Sequence, residues 1–223
     1  MDKIIGLLQK YWPMYLEGLW GTIWLSALTV IAGTLLGMLI ALMRMSKSKV
    51  LNGISTAYIE ILRGTPALLQ LYFFWLGLPK ILPFMELTDT ACILVAMTVN
   101  ASAYISEIIR AGINAVDKGQ WEAARSVGLC EFNVMTRVIL PQAVKNILPT
   151  LGNEFIALIK ETSVVSFVGA ANLYTAFNMI GSNSYEFMVP FLCMALIYIV
   201  IIMLITLGIK LMERGLARSD RRN

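Results

Sequence analysis

Five apolar stretches, at about 19–43, 54–78, 88–109, 147–168 and 187–209, constrain this chain more than any other feature. Crossing a bilayer's hydrocarbon takes roughly 20 consecutive apolar residues in a helix. Within it, every backbone N–H and C=O must find a partner inside the protein, so runs of this length must be helical. With 58% hydrophobic and 14% charged residues among 223, the composition lies outside the soluble range. The expectation is an all-α polytopic membrane protein with about five transmembrane helices, forming one domain over 1–223 with its core at about 19–214. The stretch before the first run, "IIGLLQKYWPMYLEGLW", mixes apolar residues with Lys10, Glu17, Tyr11 and Trp12. It reads as a short separate helix lying in the interface.

Lys and Arg collect beside alternate ends of these runs. Arg44, Lys47 and Lys49 follow the first; Arg110, Lys118, Arg125, Arg137 and Lys145 lie between the third and fourth; Lys210, Arg214, Arg218, Arg221 and Arg222 close the chain. Only Lys3, Lys10 and Lys80 fall on the other side. The positive-inside rule therefore predicts an external N-terminus, a cytoplasmic C-terminus and an odd number of spans. The one long connection, about 111–145, has two helical patterns, "GQWEAARSVG" and "EFNVMTRVIL". It predicts two short amphipathic helices joined near Gly128, with Pro141 stopping the second, on a cytoplasmic face suited to docking.

Several chemistries are excluded. The chain has no His, and its three cysteines are far apart in apolar or amphipathic sequence, which fits neither a metal cluster nor a disulfide framework. The net charge of +4 is spread along the membrane edges and gives no reason to expect nucleic acid as a partner. Asp2 leads the N-terminus and no small-residue cleavage site follows, so the segment does not read as a signal peptide. No phosphate-binding GxxxxGK[ST] loop is present, so any nucleotide that drives transport must bind another subunit.

The second run carries two opposite charges in "YIEILRGTPALLQLYFFWLG". Ionisable groups at membrane depth normally face a cavity or a partner. Glu60 and Arg63 are three residues apart and so share a helical face, where they either pair with each other or hold a ligand. Pro66 has no N–H and disfavours helical geometry at Thr65, so a break is expected at Gly64–Thr65–Pro66, exposing backbone to a cavity. Transporter sites are often built at such breaks. A free amino acid is a zwitterion: Arg63 suits its carboxylate and Glu60 its ammonium group. Tyr58, Thr65, Asn100, Ser102, Tyr104, Glu154 and Lys160 complete the candidate substrate-binding set. Ser102 also fits ordinary helix packing with Ser106. Glu154 favours a substrate with an additional positive or donor group, such as lysine, arginine, ornithine or histidine, with glutamine still open; its alternative is an ion pair with Lys160 or Arg63. Glu161 reads as structural or gating, and Glu107 with Arg110 as an interfacial salt bridge.

The segment "EAARSVGLCEFNVMTRVILPQA" resembles the EAA motif of permeases of ATP-binding cassette (ABC) importers, with Glu122, Ala123, Ala124, Gly128, Leu140 and Pro141 in the expected order. "EILRGTP" and "NASAYISEIIRAGINAVDKGQ" look like the polar amino acid uptake branch, and the resemblance covers about 18–211. It implies a type I ABC importer permease fold in a bacterial inner membrane, with the six motif residues coupling the spans to an ATPase. It also implies two ATPase subunits, which carry the ATP and magnesium that this chain does not bind. A second permease copy or similar permease, an external amino acid-binding protein, lipid and the amino acid substrate complete the expected partners. The chain itself would catalyse no covalent step. An ion-coupled secondary carrier is the alternative; the absence of visible inverted repeats and the EAA-like loop weigh against it.

Overall fold

The structure, a computed structural model, describes residues 2–220, without the side chains of 2–5, 7, 8 and 217–220. The cations Arg221 and Arg222, and the side chains of Lys3 and Arg218, lie outside the described residues.

The elements are helical throughout the described residues. The first, α1, runs unbroken over Asp2–Arg44. The separate interfacial helix is therefore corrected: that segment is the first part of α1. Two of its aromatics, Tyr11 and Tyr15, pack into protein, while Trp12 and Trp20 stay exposed. Tyr15 is 2% exposed, its hydroxyl donates to the Pro190 carbonyl at 3.1 Å, and with Tyr11 it joins a core containing Leu173, Ile180 and Met194.

The second expected span is not one helix. It divides into α2, Lys49–Gly64, and α3, Ala67–Ile81, at Thr65 and Pro66. Both residues take extended backbone angles there, as the proline requires. Next come α4, Asp89–Asn114, and the short α5, Lys118–Ser126. A single turn, α6 (Glu131–Asn133), passes through π-helical turns at Val134–Ile139 directly into α7, Leu140–Glu161. This corrects the expected stop at Pro141. The Leu140 N–H reaches back five residues to Met135, and this wider winding carries the helix past a proline that has no N–H to give. A 3-10 segment, Thr162–Val168, leads to α8 (Leu173–Ser184), and α9 covers Met188–Asp220.

Three helices are long and apolar enough to cross a membrane unaided: Gln9–Arg44, Asp89–Asn114 and Met188–Leu216. Glu131–Val168 with Leu173–Ser184, bent by 49°, can make a fourth. The second apolar run adds α2 and α3, which part at the expected break and are each too short to cross alone.

The hub is α4, packed against α1, α7, α3 and α2. It runs parallel to α1, with Gly33 against Ala101 and Ile105 and Gly37 against Ser102 and Ser106. A Cβ at Gly37 would lie 3.0 Å from the Ser102 carbonyl oxygen, so only a residue without a side chain admits this approach comfortably. By contrast, α9 leaves most of its apolar surface exposed, including Leu196, Ile199 and Met203, as a lipid-facing helix does.

Candidate functional site

The break between α2 and α3 leaves carbonyls at the end of α2 without helical partners. In an unbroken helix the N–H of residue 66 would donate to the Leu62 carbonyl, but Pro66 has none. The Gln70 side chain takes its place. Its Nε2 donates to the Leu62 carbonyl at 2.7 Å, and the same amide group lies 2.8 Å from Thr65 Oγ1 and 3.2 Å from the Thr65 carbonyl. Thr65 Oγ1 in turn donates to the Ile61 carbonyl at 2.8 Å. Gln70 Oε1 accepts from Asn100 Nδ2 of α4 at 2.9 Å, and the two amides are 6% and 7% exposed. About two turns before the break, the Tyr58 hydroxyl lies 2.7 Å from Ser102 Oγ and 3.2 Å from the Val99 carbonyl. Two polar links therefore fasten α2 and the break to α4.

Between those links Arg63 projects into a cleft of about 650 Å³ walled by α2, α4 and α7. Its guanidinium carbon lies 5.3 Å from the centroid of the Tyr104 ring, a cation–π distance. Glu154, Asn153, Thr150 and Asn146 face the same cleft from α7, and Glu107 from α4. Glu107 is held by Arg110 through a bidentate pair, 2.7 Å at its shortest, as expected from their spacing. Among the described residues no ion pair joins Glu60 to Arg63, Glu154 to Lys160 or Glu154 to Arg63. The internal pairings entertained for these groups are therefore not formed.

The sequence-derived set is thus divided. Arg63, Tyr104 and Glu154 meet in the cleft. Tyr58, Ser102, Thr65 and Asn100 are engaged in the links around the break. Glu60 and Lys160 are exposed and line no wall of the cleft. Asn100 and Glu161 border a separate, much smaller cavity beside Ala67 and Val165. Sequence reasoning passed over Gln70, although a lone amide four residues after a proline within an apolar run is a legible signal. It also passed over Asn146, Thr150 and Asn153, which with Glu154 make a polar stripe at helical spacing in α7.

At the basic end of the bundle, α5 is capped by Asp117, whose carboxylate accepts from the Gly119 N–H at 2.6 Å. Ala124 points inward onto a core of Ile113, Val116, Val134, Ile139 and Ala143. Glu122 and Ala123 face outward, as do Leu140 and Pro141. Gly128 makes the expected reversal with φ of 83°, in the left-handed region, while the Gly128 and Leu129 N–H groups close the end of α5 on Arg125 and Ala124. Arg125 crosses the turn, bonding Glu131 at 2.9 Å and lying over the Trp121 ring. Val127 and Phe132, beside the reversal, are about three-quarters exposed.

Residues 33–218 match the family described as "Binding-protein-dependent transport system inner membrane component". The arginine transport system permease protein ArtQ of Bacillus subtilis is 38% identical over 208 residues, covering 93% of this chain and 94% of that protein. The "Probable glutamine ABC transporter permease protein GlnM" of the same organism is 34% identical over 215 residues, covering 96% and 99%. A chain in the crystal structure of an amino acid ABC transporter with histidines superposes with a TM-score of 0.88 at 43% identity, covering 93% of this chain and 96% of that one. These relatives are transport components and not enzymes, and they leave the ion-coupled carrier reading unsupported. The chain is a multi-pass inner-membrane permease subunit, and it belongs to the family of inner-membrane components of binding-protein-dependent transport systems.

Proposed function

We propose that this permease carries polar amino acids, with a preference for basic ones, into the cytoplasm. The observation that supports this is the meeting of Arg63 and Glu154 in one cleft, with neither in an ion pair among the described residues. A zwitterion needs a donor fork for its carboxylate, and a guanidinium already stacked on Tyr104 is oriented to supply one. Glu154, with the amides of Asn146 and Asn153, presents an acceptor surface to a cationic or donor-rich side chain. The names of the relatives, one an arginine and one a glutamine system, fall within that range. The basic ends of the helices face the cytoplasm in this reading, so α5 and the Gly128 reversal dock an ATPase. Two such ATPases bind the ATP and magnesium; a second copy of this chain or a similar permease completes the pathway, and an external binding protein delivers the amino acid.

Reconstitution with the ATPase and binding protein tests the reading. Basic amino acids should stimulate ATP hydrolysis at lower concentration than amide or acidic ones. Arg63→Ala should raise the half-saturating concentration by about tenfold or more, with Arg63→Lys in between, since a charge-assisted bond contributes about 1.5–3 kcal/mol. An unchanged apparent affinity in an assembled complex refutes the role of Arg63. Glu154→Gln should narrow the preference for basic over amide substrates.

A further inference from the structure

We propose that Gln70 is a positioning residue: by supplying the hydrogen bond that Pro66 cannot make, it fixes the course of α2 so that Arg63 enters the cleft over Tyr104. The break by itself would leave the end of α2 free to choose its direction. The Leu62 carbonyl, the position the proline orphans, is instead taken by the Gln70 amide at 2.7 Å, and Thr65 is held by the same nitrogen. The two N–H bonds of that amide are shared among three acceptors on the α2 side, while its oxygen is engaged by Asn100 of α4. Every hydrogen-bonding atom of a buried side chain is thus committed to joining α2, α3 and α4 at one point. Arg63 follows Leu62 in the chain, and its guanidinium rests on a side chain of the same α4 that anchors Gln70. Asn100 then serves as an anchor for this joint, with no contact to the cleft.

The proposal rests on the reading of Arg63 as a substrate ligand only for its effect on affinity; the placement of Arg63 is tested separately. In the full permease without its ATPase, where Cys130 is open to solvent, Arg63→Cys is treated with a membrane-impermeant thiol reagent from the side of the coupling element, and labelling is followed peptide by peptide. The exposed native Cys130 serves as internal reference for an intact fold. Adding Gln70→Glu, which keeps the shape but replaces the donating amide by a carboxylate, should slow labelling at position 63 by about tenfold while Cys130 labels as before. Gln70→Leu should do the same. An unchanged rate at position 63 in either variant overturns the proposal, as does slowing that extends equally to Cys130. In substrate-stimulated ATP hydrolysis, Gln70→Glu should raise the half-saturating concentration without lowering the maximal rate, and should add little to Arg63→Ala. If Arg63→Ala alone leaves affinity unchanged, the ligand reading fails, while the labelling rate still decides the role of Gln70.

Discussion

Pro66 shows how a single residue sets a cost and a use together. It removes one N–H from a helix at membrane depth, where an unsatisfied carbonyl costs several kcal/mol, and two neighbouring side chains, Thr65 and Gln70, cover the carbonyls that it exposes. Replacing it should therefore stabilise the fold and impair its work. Pro66→Ala returns the missing donor and lets α2 and α3 approach a continuous helix. The assembled complex should melt a few degrees higher, about 2–4 °C per kcal/mol gained for a chain of this size, and substrate-stimulated ATP hydrolysis should fall. A variant that melts lower and transports normally would contradict this account. At this scale Arg63 was legible because a guanidinium in an apolar run demands an explanation. The role of Asn100 was not legible: its partner is thirty residues away, and only the folded chain shows that the amide is used up.

Among the elements, the connection at 111–145 was the most readable. The reversal at Gly128 and the inward-facing Ala124 follow from a glycine between two helical patterns and from a small residue on the apolar face. The continuation through Pro141 was hidden because a π-helical turn has no sequence signature comparable to a proline's own. The same segment predicts a docking defect. Val127 and Phe132 stand out from it with no protein to cover them among the described residues. Phe132→Asp should reduce recovery of the ATPase with the permease by about tenfold, the range of a single well-placed interface anchor, without altering the melting temperature of the permease alone. Full recovery would move the docking surface elsewhere. The fate of the N-terminal segment was misjudged for a related reason: Tyr11 and Trp12 look alike as interfacial aromatics, yet Tyr11 is buried against α8 and α9 whereas Trp12 is half exposed.

For the molecule as a whole, the number of apolar runs indicated the class of fold and Pro66 the break in the second run; how the broken pair is held was the part that sequence could not supply. Tertiary packing supplies it by tying the pair to α4, whereas α1 runs through its own proline unbroken. At 1.5 Å per residue the 43 residues of α1 make a rod of about 65 Å, roughly twice the thickness of the hydrocarbon it crosses. A rod that outreaches its membrane on this scale meets a thinner or thicker bilayer by leaning. Its contacts at Gly33 and Gly37 are too close to slide, so a lean in α1 turns α4, and with it the wall that carries Tyr104 and Glu107. Acyl-chain length then acts on the cleft as an effector would: half-saturating substrate concentration should vary by several-fold across vesicles of graded lipid thickness, and a flat response would show that α1 and α4 move independently.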